Sequence, residues 1–153
     1  MLLTVHATAA LAISQYVANP ALAFIFGLGS HFLLDFIPHG DKDLNRWLAD
    51  EKQRTAKLIY LTLIDVLVFT NLLGLITQQK SFHHPWSALA AIFASLLPDF
   101  LVAVESLLDF KYQPFTKLNN YFHNLGKKYS DQVSLFWGIT IQLTFFILAL
   151  SLI

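Results

Sequence analysis

With 153 residues, 56% of them hydrophobic and only 13% charged, the chain has about half the roughly 25% charged residues usual in a soluble domain, so its apolar excess has to face lipid. Lys plus Arg and Asp plus Glu both total 10, and this zero formal charge leaves neither a basic footprint for nucleic acid nor a polyanionic tail. The lack of cysteine excludes disulfides, thiolate nucleophiles and Cys-type zinc sites, so a metal would have to rest on His, Asp and Glu.

A membrane-spanning helix needs about 20 mostly apolar residues. The first apolar stretch, residues 1–18, ends at Asn19-Pro20, a turn signal. It lacks the positive leader of a secretory signal and so reads as a span, or as a short segment that dips in and returns. The second, 21–37, stops at Pro38 and Gly40. A basic loop follows, where Leu44, Trp47 and Leu48 recur at helical spacing after Asp43, predicting an interfacial helix over 42–55. The third stretch, 58–77, contains Asp65 and Asn71. After a polar loop at 78–85 with His83 and His84, the fourth, 86–108, contains Pro98-Asp99. In the next loop Phe115, Leu118, Phe122 and Leu125 share one helical face, a second interfacial helix. The last stretch, 133–153, is uncharged. The expected fold is all-α: an integral membrane helical bundle of about five transmembrane helices with two cytoplasmic interfacial helices, in one domain over 1–153.

Orientation follows from the basic residues. Lys42, Arg46, Lys52, Arg54 and Lys57 follow the second span, and Lys111, Lys117, Lys127 and Lys128 follow the fourth; only Lys80 lies opposite. The positive-inside rule makes the two basic loops cytoplasmic, with the N-terminus inside and the C-terminus outside, in a cytoplasmic (inner) membrane. Basic and aromatic residues at that depth serve anchoring in any membrane protein.

Ionisable residues inside spans cost about 2.5–3.5 kcal/mol each on insertion scales and mark function by default. His6 lies 13 residues before Asn19 and His31 lies 12 after it, so in an antiparallel pair they sit level. Asp35 is on the same helical face as His31, one turn nearer the cytoplasm. Asp65 and Asp99 are each 17 residues from Phe82, the middle of the next hairpin, and are expected to be level too. His39, Asp41 and His123, in the cytoplasmic loops, are placed to close over this layer.

Two or three imidazoles beside three carboxylates suit a divalent cation, with zinc first and manganese or iron as alternatives. His-x-x-x-Asp puts two ligands on one helical face, and neighbouring helices supply the rest. The expected metal ligands are His6, His31, Asp35 and Asp99, with Asp65 as an additional ligand or base and Asp35 also able to act catalytically. Blander roles stay open for each. His6 can serve as a helix–helix hydrogen-bond partner, Asp35 as a local cap near Pro38, and Asp99 as a partner for backbone freed at Pro98. Asp65 can pair with Asp99 through a shared proton or bond to His31. Glu105 and Asp109 read as solvated groups near the interface.

The segment Gly27-Leu-Gly-Ser-His31-Phe-Leu-Leu-Asp35-Phe-Ile-Pro38-His39-Gly-Asp41, the early His6 and Leu97-Pro98-Asp99 resemble the small inner-membrane metal-dependent hydrolases, the LexA-regulated membrane-bound family among them. That family typically carries a Pro-Asp-x-Asp element, whereas Asp99 here is followed by Phe100 and Leu101; Asp65 is the substitute for the second acidic ligand. More distantly, His-x-x-x-Asp followed by Pro and His is similar to the central helix of zinc-dependent phospholipase C and the related single-strand nucleases. The resemblance implies a metal site and a hydrolytic reaction. The expected function is a membrane-embedded metal-dependent hydrolase of a lipid-like ester or phosphoester at the cytoplasmic leaflet. Its partners are the bilayer and a lipid substrate, with no nucleic acid and with oligomerisation left open. The alternative is a non-catalytic small transporter or scaffold with a polar or structural metal-bound core.

Overall fold

Asn19 and Pro20 make the first turn of the fold by their own chemistry. Asn19 Oδ1 accepts from the N–H groups of Ala21 and Leu22 at 2.9 and 3.2 Å, and Pro20 occupies the first helical position, where its missing N–H costs nothing. In a computed structural model, which describes residues 1–40, 46–79, 82–108, 112–130 and 133–153, this turn joins α1 (Leu3–Tyr16) to α2 (Pro20–Phe36). The remaining helices are α3 (Glu51–Gln79), α4 (Pro85–Leu107), α5 (Pro114–Ser130) and α6 (Leu135–Ser151), and the described residues contain no strand.

The all-α expectation holds. Two helices, α3 and α4, are long and apolar enough to cross a membrane, while α2 and α6 are apolar but shorter. The first stretch gives only 14 helical residues, about 21 Å against a hydrocarbon core of roughly 30 Å. The interfacial helix expected over 42–55 is not a separate element at its distal end, because Glu51 onward belongs to α3; Asp43 and Leu44 lie outside the described residues. The second expected amphipathic helix does form, as α5. Phe115, Leu118 and Leu125 on it are exposed.

Small residues set the packing. Ala10 of α1, Ala23 of α2 and Ala91 of α4 form a fully buried cluster, and four residues along α2 from Ala23 is Gly27. A Cβ on Gly27 would lie 2.4 Å from the Ala91 carbonyl oxygen and 2.8 Å from its Cα. Backbone thus meets backbone, the close approach that small residues permit between apolar helices. Ser87 Oγ donates to the Ala18 carbonyl at 2.8 Å and ties the start of α4 to the α1–α2 turn. α5 rests on α2 and α4, and α3 and α6 pack chiefly on α1. α1 is therefore the inner post, with most of its side chains buried. The outer helices show Ile25, Leu33, Leu67, Phe93, Trp137 and Leu148 at more than half exposure.

The glycines give a paired test. Gly27→Ala forces the α2 and α4 backbones apart and should lower stability by about 1–3 kcal/mol, as overpacking does. Gly29, two residues on, has nothing within 4 Å of its would-be Cβ, so Gly29→Ala should stabilise by roughly 0.5–1 kcal/mol. Thermal unfolding of the two purified variants should move the midpoint in opposite directions.

Candidate metal centre

Helical periodicity carries the close α2–α4 contact into a polar cluster. His31 is four residues beyond Gly27 and Ser95 four beyond Ala91, so the contact places the two residues side by side one turn further on. His31 Nδ1 lies 2.8 Å from the Ser95 carbonyl oxygen. A carbonyl only accepts, so Nδ1 carries the proton and Nε2 presents its lone pair. Ser95 stands in the turn before Pro98, where proline loosens the helical ladder.

His31 Nε2 faces carboxylates. It is 3.4 Å from Asp35 Oδ2 and 3.9 Å from Asp99 Oδ1. His6, from α1, stacks on the His31 ring with centroids 4.4 Å apart, and its Nε2 is 3.2 Å from Asp35 Oδ1. Both imidazoles are fully buried. Among the described residues His6 Nδ1 makes no hydrogen bond, and Nε2 of His6 and of His31 meet only these carboxylates, at 3.2 Å or more and outside hydrogen-bond geometry. Leaving such groups unsatisfied costs about 1–3 kcal/mol each. One ligand atom from each of His6, His31 and Asp99 lies within 4.8 Å of the others, a spacing that can hold a metal ion. Asp35 stands against both imidazoles and outside that trio. Asp99 is one-third exposed (33%) while the others are buried, so the cluster opens on the Asp99 side.

Of the four expected ligands, then, His6, His31 and Asp99 meet as a trio and Asp35 adjoins both histidines. The alternative of Asp99 as a partner for backbone freed at Pro98 loses force: proline frees a carbonyl, and a carboxylate, being an acceptor, cannot satisfy it.

Asp65 is elsewhere employed. Its carboxylate accepts from the N–H groups of Leu3 and Thr4 and from the Thr4 hydroxyl. It caps the N-terminus of α1, where orphan donors and the positive end of the helix dipole favour a negative charge. The expected pairing of Asp65 with Asp99 is replaced by Asp65 with α1 and Asp99 with His31. Glu105, expected to be solvated, is buried and does the same for α5, accepting from the N–H groups of Phe115 and Thr116 at 2.9 and 2.7 Å.

His39 and His123 are adjacent, with ring centroids 5.8 Å apart. His39 Nδ1 is 2.7 Å from the Ile37 carbonyl, and its Nε2 is 3.4 Å from the Met1 nitrogen, itself 3.0 Å from Asp35 Oδ1. Phe122 of α5 packs on Phe32 at 4.4 Å, and Phe32 meets the His31 ring edge-on at 5.2 Å. Asp41 and Asp109 lie outside the described residues.

Two supporting groups were not foreseen. One is the Ser95 carbonyl; its trace in the sequence is the four-residue row Ser87, Ala91, Ser95, Asp99 along α4. The other is Gln142, which accepts from the Leu2 N–H at 2.9 Å and whose amide nitrogen lies 3.5 Å from the His39 carbonyl. Its trace is a single amide side chain in an apolar stretch without any charge.

No family model, curated protein or solved structure matches the chain.

Because Asp65 caps α1, Asp65→Ala should cost about 1–3 kcal/mol by stranding buried backbone donors. It should leave the His6, His31 and Asp99 cluster able to load metal. A lowered unfolding midpoint with unchanged metal content in the same preparation is the expected result; loss of metal without loss of stability would place Asp65 in the centre instead.

Proposed function

We propose that the protein is an integral membrane protein holding a divalent transition-metal ion on His6, His31 and Asp99, and that this centre hydrolyses a lipid-like ester or phosphoester at the cytoplasmic leaflet. The observation that carries the metal reading is the imidazole pair: His31 is fixed by Ser95 so that Nε2 faces two carboxylates, while His6 is buried with Nδ1 unbonded and Nε2 turned to Asp35 at 3.2 Å, outside hydrogen-bond geometry. Fixing one ring nitrogen on a carbonyl so that the other can ligate is the usual outer support of a metal-binding histidine. Two nitrogens and one carboxylate oxygen suit zinc first, with manganese or iron as alternatives.

Bound there, such an ion would polarise an ester or phosphoryl oxygen and acidify a water. The chain's own residues supply the rest. Asp35 stands beside both imidazoles and is placed to take a proton from the attacking water and return it to the leaving group. Asp65 is engaged with α1, so the base role falls to Asp35. The exposed edge of Asp99 is the side from which a substrate can reach the cluster.

Membrane residence rests on α3 and α4 and on the apolar side chains that the outer helices expose. We take α2 and α6 as further spans and α1 as the inner helix they enclose, which keeps the five-helix arrangement. The basic loops put the cluster in the cytoplasmic half, with the N-terminus inside, in an inner membrane. Hydrolysis rests on the resemblance to small inner-membrane metal-dependent hydrolases. A second reading has a specific observation behind it: Asp35, touching both imidazoles, can act as a fourth ligand and close the site, which describes a structural metal in a non-catalytic protein.

Metal analysis of protein purified without chelators should find one transition-metal ion per chain. Asp99→Asn, which leaves the buried packing intact, should weaken metal binding by at least the roughly 10- to 100-fold that loss of an outer-shell partner costs. His31→Ala should abolish it. Turnover on an ester and phosphoester panel should vanish in both variants and in Asp35→Asn. Wild-type protein free of transition metal would end the reading; bound metal without turnover would favour the structural one.

A further inference from the structure

The face of α1 opposite the metal cluster borders an apolar slot. α3 and α6 pack chiefly on α1 rather than on one another, and between them lies a cavity of about 230 Å³. Its walls are Leu61, Ile64 and Val68 of α3 and Ile139, Leu143 and Phe146 of α6. Thr4, Asp65 and Gln142 also border it. All three are already engaged: Asp65 with the first turn of α1, the Thr4 hydroxyl with Asp65, and Gln142 with Leu2 and His39. The slot therefore asks its occupant for no hydrogen bond. A polar substrate or a column of water would gain little there, and an alkyl chain would lose nothing.

Length and charge name the chain. Lys57, Leu61, Ile64 and Val68 recur along one face of α3. The rise from Lys57 to Val68 is about 16 Å, close to half of the roughly 30 Å hydrocarbon core, the depth of one leaflet. At the cytoplasmic end the Lys57 ammonium sits 4.9 Å from the centre of the Trp47 ring and donates to the Trp47 carbonyl at 2.8 Å. An ammonium has three donors, and a lysine beside a tryptophan at headgroup depth is suited to an anionic phosphate. The slot is open along its outer side: Val68 and Leu143 on its walls are more than half exposed, as are Leu63, Leu67 and Leu148 beyond it.

We infer that the α3–α6 slot binds one acyl chain of a cytoplasmic-leaflet phospholipid, with the phosphate at Lys57. This rests on the membrane reading above and is independent of the metal and of hydrolysis. The slot lies across α1 from the His6 cluster, so its lipid is a bound companion and need not be the substrate.

The test uses the full chain in vesicles of phosphatidylethanolamine and phosphatidylglycerol, a fraction of the phosphatidylglycerol carrying a photoreactive diazirine in one acyl chain. After illumination, adducts are mapped by peptide mass spectrometry. The expected result is a several-fold excess of adducts on Leu61 and Phe146, the half-buried side chains of the slot, over the exposed Leu63 and Leu67 outside it. Leu143→Trp, which fills the slot, should remove the inner adducts and keep the outer ones. Lys57→Gln should reduce the inner adducts of phosphatidylglycerol more than those of a diazirine-labelled phosphatidylethanolamine. Equal labelling of inner and outer residues would show only the ordinary lipid annulus and overturn the proposal. Outer adducts without inner ones, together with chain-to-chain cross-links through α3 and α6, would overturn it in favour of a second copy in the slot. Absence of adducts on both sets would defeat the membrane reading itself.

Discussion

The backbone contact between Gly27 and Ala91 is the constraint on which the rest of the structure turns. A side chain at residue 27 would have to occupy the space of the Ala91 main chain, so α2 and α4 meet at one separation and one register. In the bilayer proposed for the protein this would matter more than in water, because lipid tails are as apolar as leucine and helix association has to come from close packing and hydrogen bonds. One turn along from that contact the helices carry His31 and Ser95, and the separation that the glycine allows is the one at which Nδ1 reaches the carbonyl. Another turn along stand Asp35 and Asp99. The cluster is thus a continuation of a packing motif. Its side chains sit on rigid helices, which hold ligand geometry more closely than loops can.

The second constraint is the inner position of α1. A helix enclosed by others cannot leave its end groups to water, and its first N–H donors need acceptors from the protein. Asp65 meets two of them and Gln142 takes the N–H of Leu2. An aspartate in the middle of a long apolar helix looks catalytic when only its depth is known. Beside the blunt end of a shorter helix it is a cap, and the cost of burying a carboxylate in an apolar helix is offset by the orphan donors it satisfies. Glu105 repeats the device for α5. Two of the acids within the apolar segments are therefore accounted for by helix ends, which leaves Asp35 and Asp99 for the histidines.

What was legible in the sequence depended on which helices touch. Matching His6 to His31 by counting from Asn19 works because the turn is tight and α1 and α2 pack along their length, so equal counts mean equal depth. The same counting for Asp65 and Asp99 speaks to depth but does not bring the two together, because α3 does not lie along α4 but packs on α1. Depth alone was never enough: two residues at one level can face opposite ways, and only the contact partner of each helix fixes its rotation. Boundaries suffered similarly. A run of charged residues before an apolar stretch reads as a separate interfacial helix, yet Glu51 to Gln79 is one continuous helix, since nothing between Asp50 and Leu58 breaks it: the interval has no proline and no glycine. The Ser95 carbonyl was beyond reach for a different reason, because every residue has a carbonyl and only tertiary contact shows which one accepts.

These constraints converge on the last helix. Gly138 of α6 lies so close to the His39 carbonyl that a Cβ there would be 2.3 Å from its oxygen, and Gly40, at φ +83°, makes the turn that allows it. One turn further, Gln142 reaches both the His39 carbonyl and the start of α1. His39 in turn faces the Met1 nitrogen, which touches Asp35. A helix without a charged residue thereby holds the approach of the α2 end to the cluster, through one amide and one missing side chain. Thr4 and His6 lie on nearly opposite faces of α1, about 160° apart at two residues' separation, so the polar centre and the apolar slot are kept apart by the thickness of a single helix. The polar cluster on one face and the apolar slot on the other need no barrier beyond that helix, provided its end is capped, and Asp65 is the residue that both caps it and borders the slot.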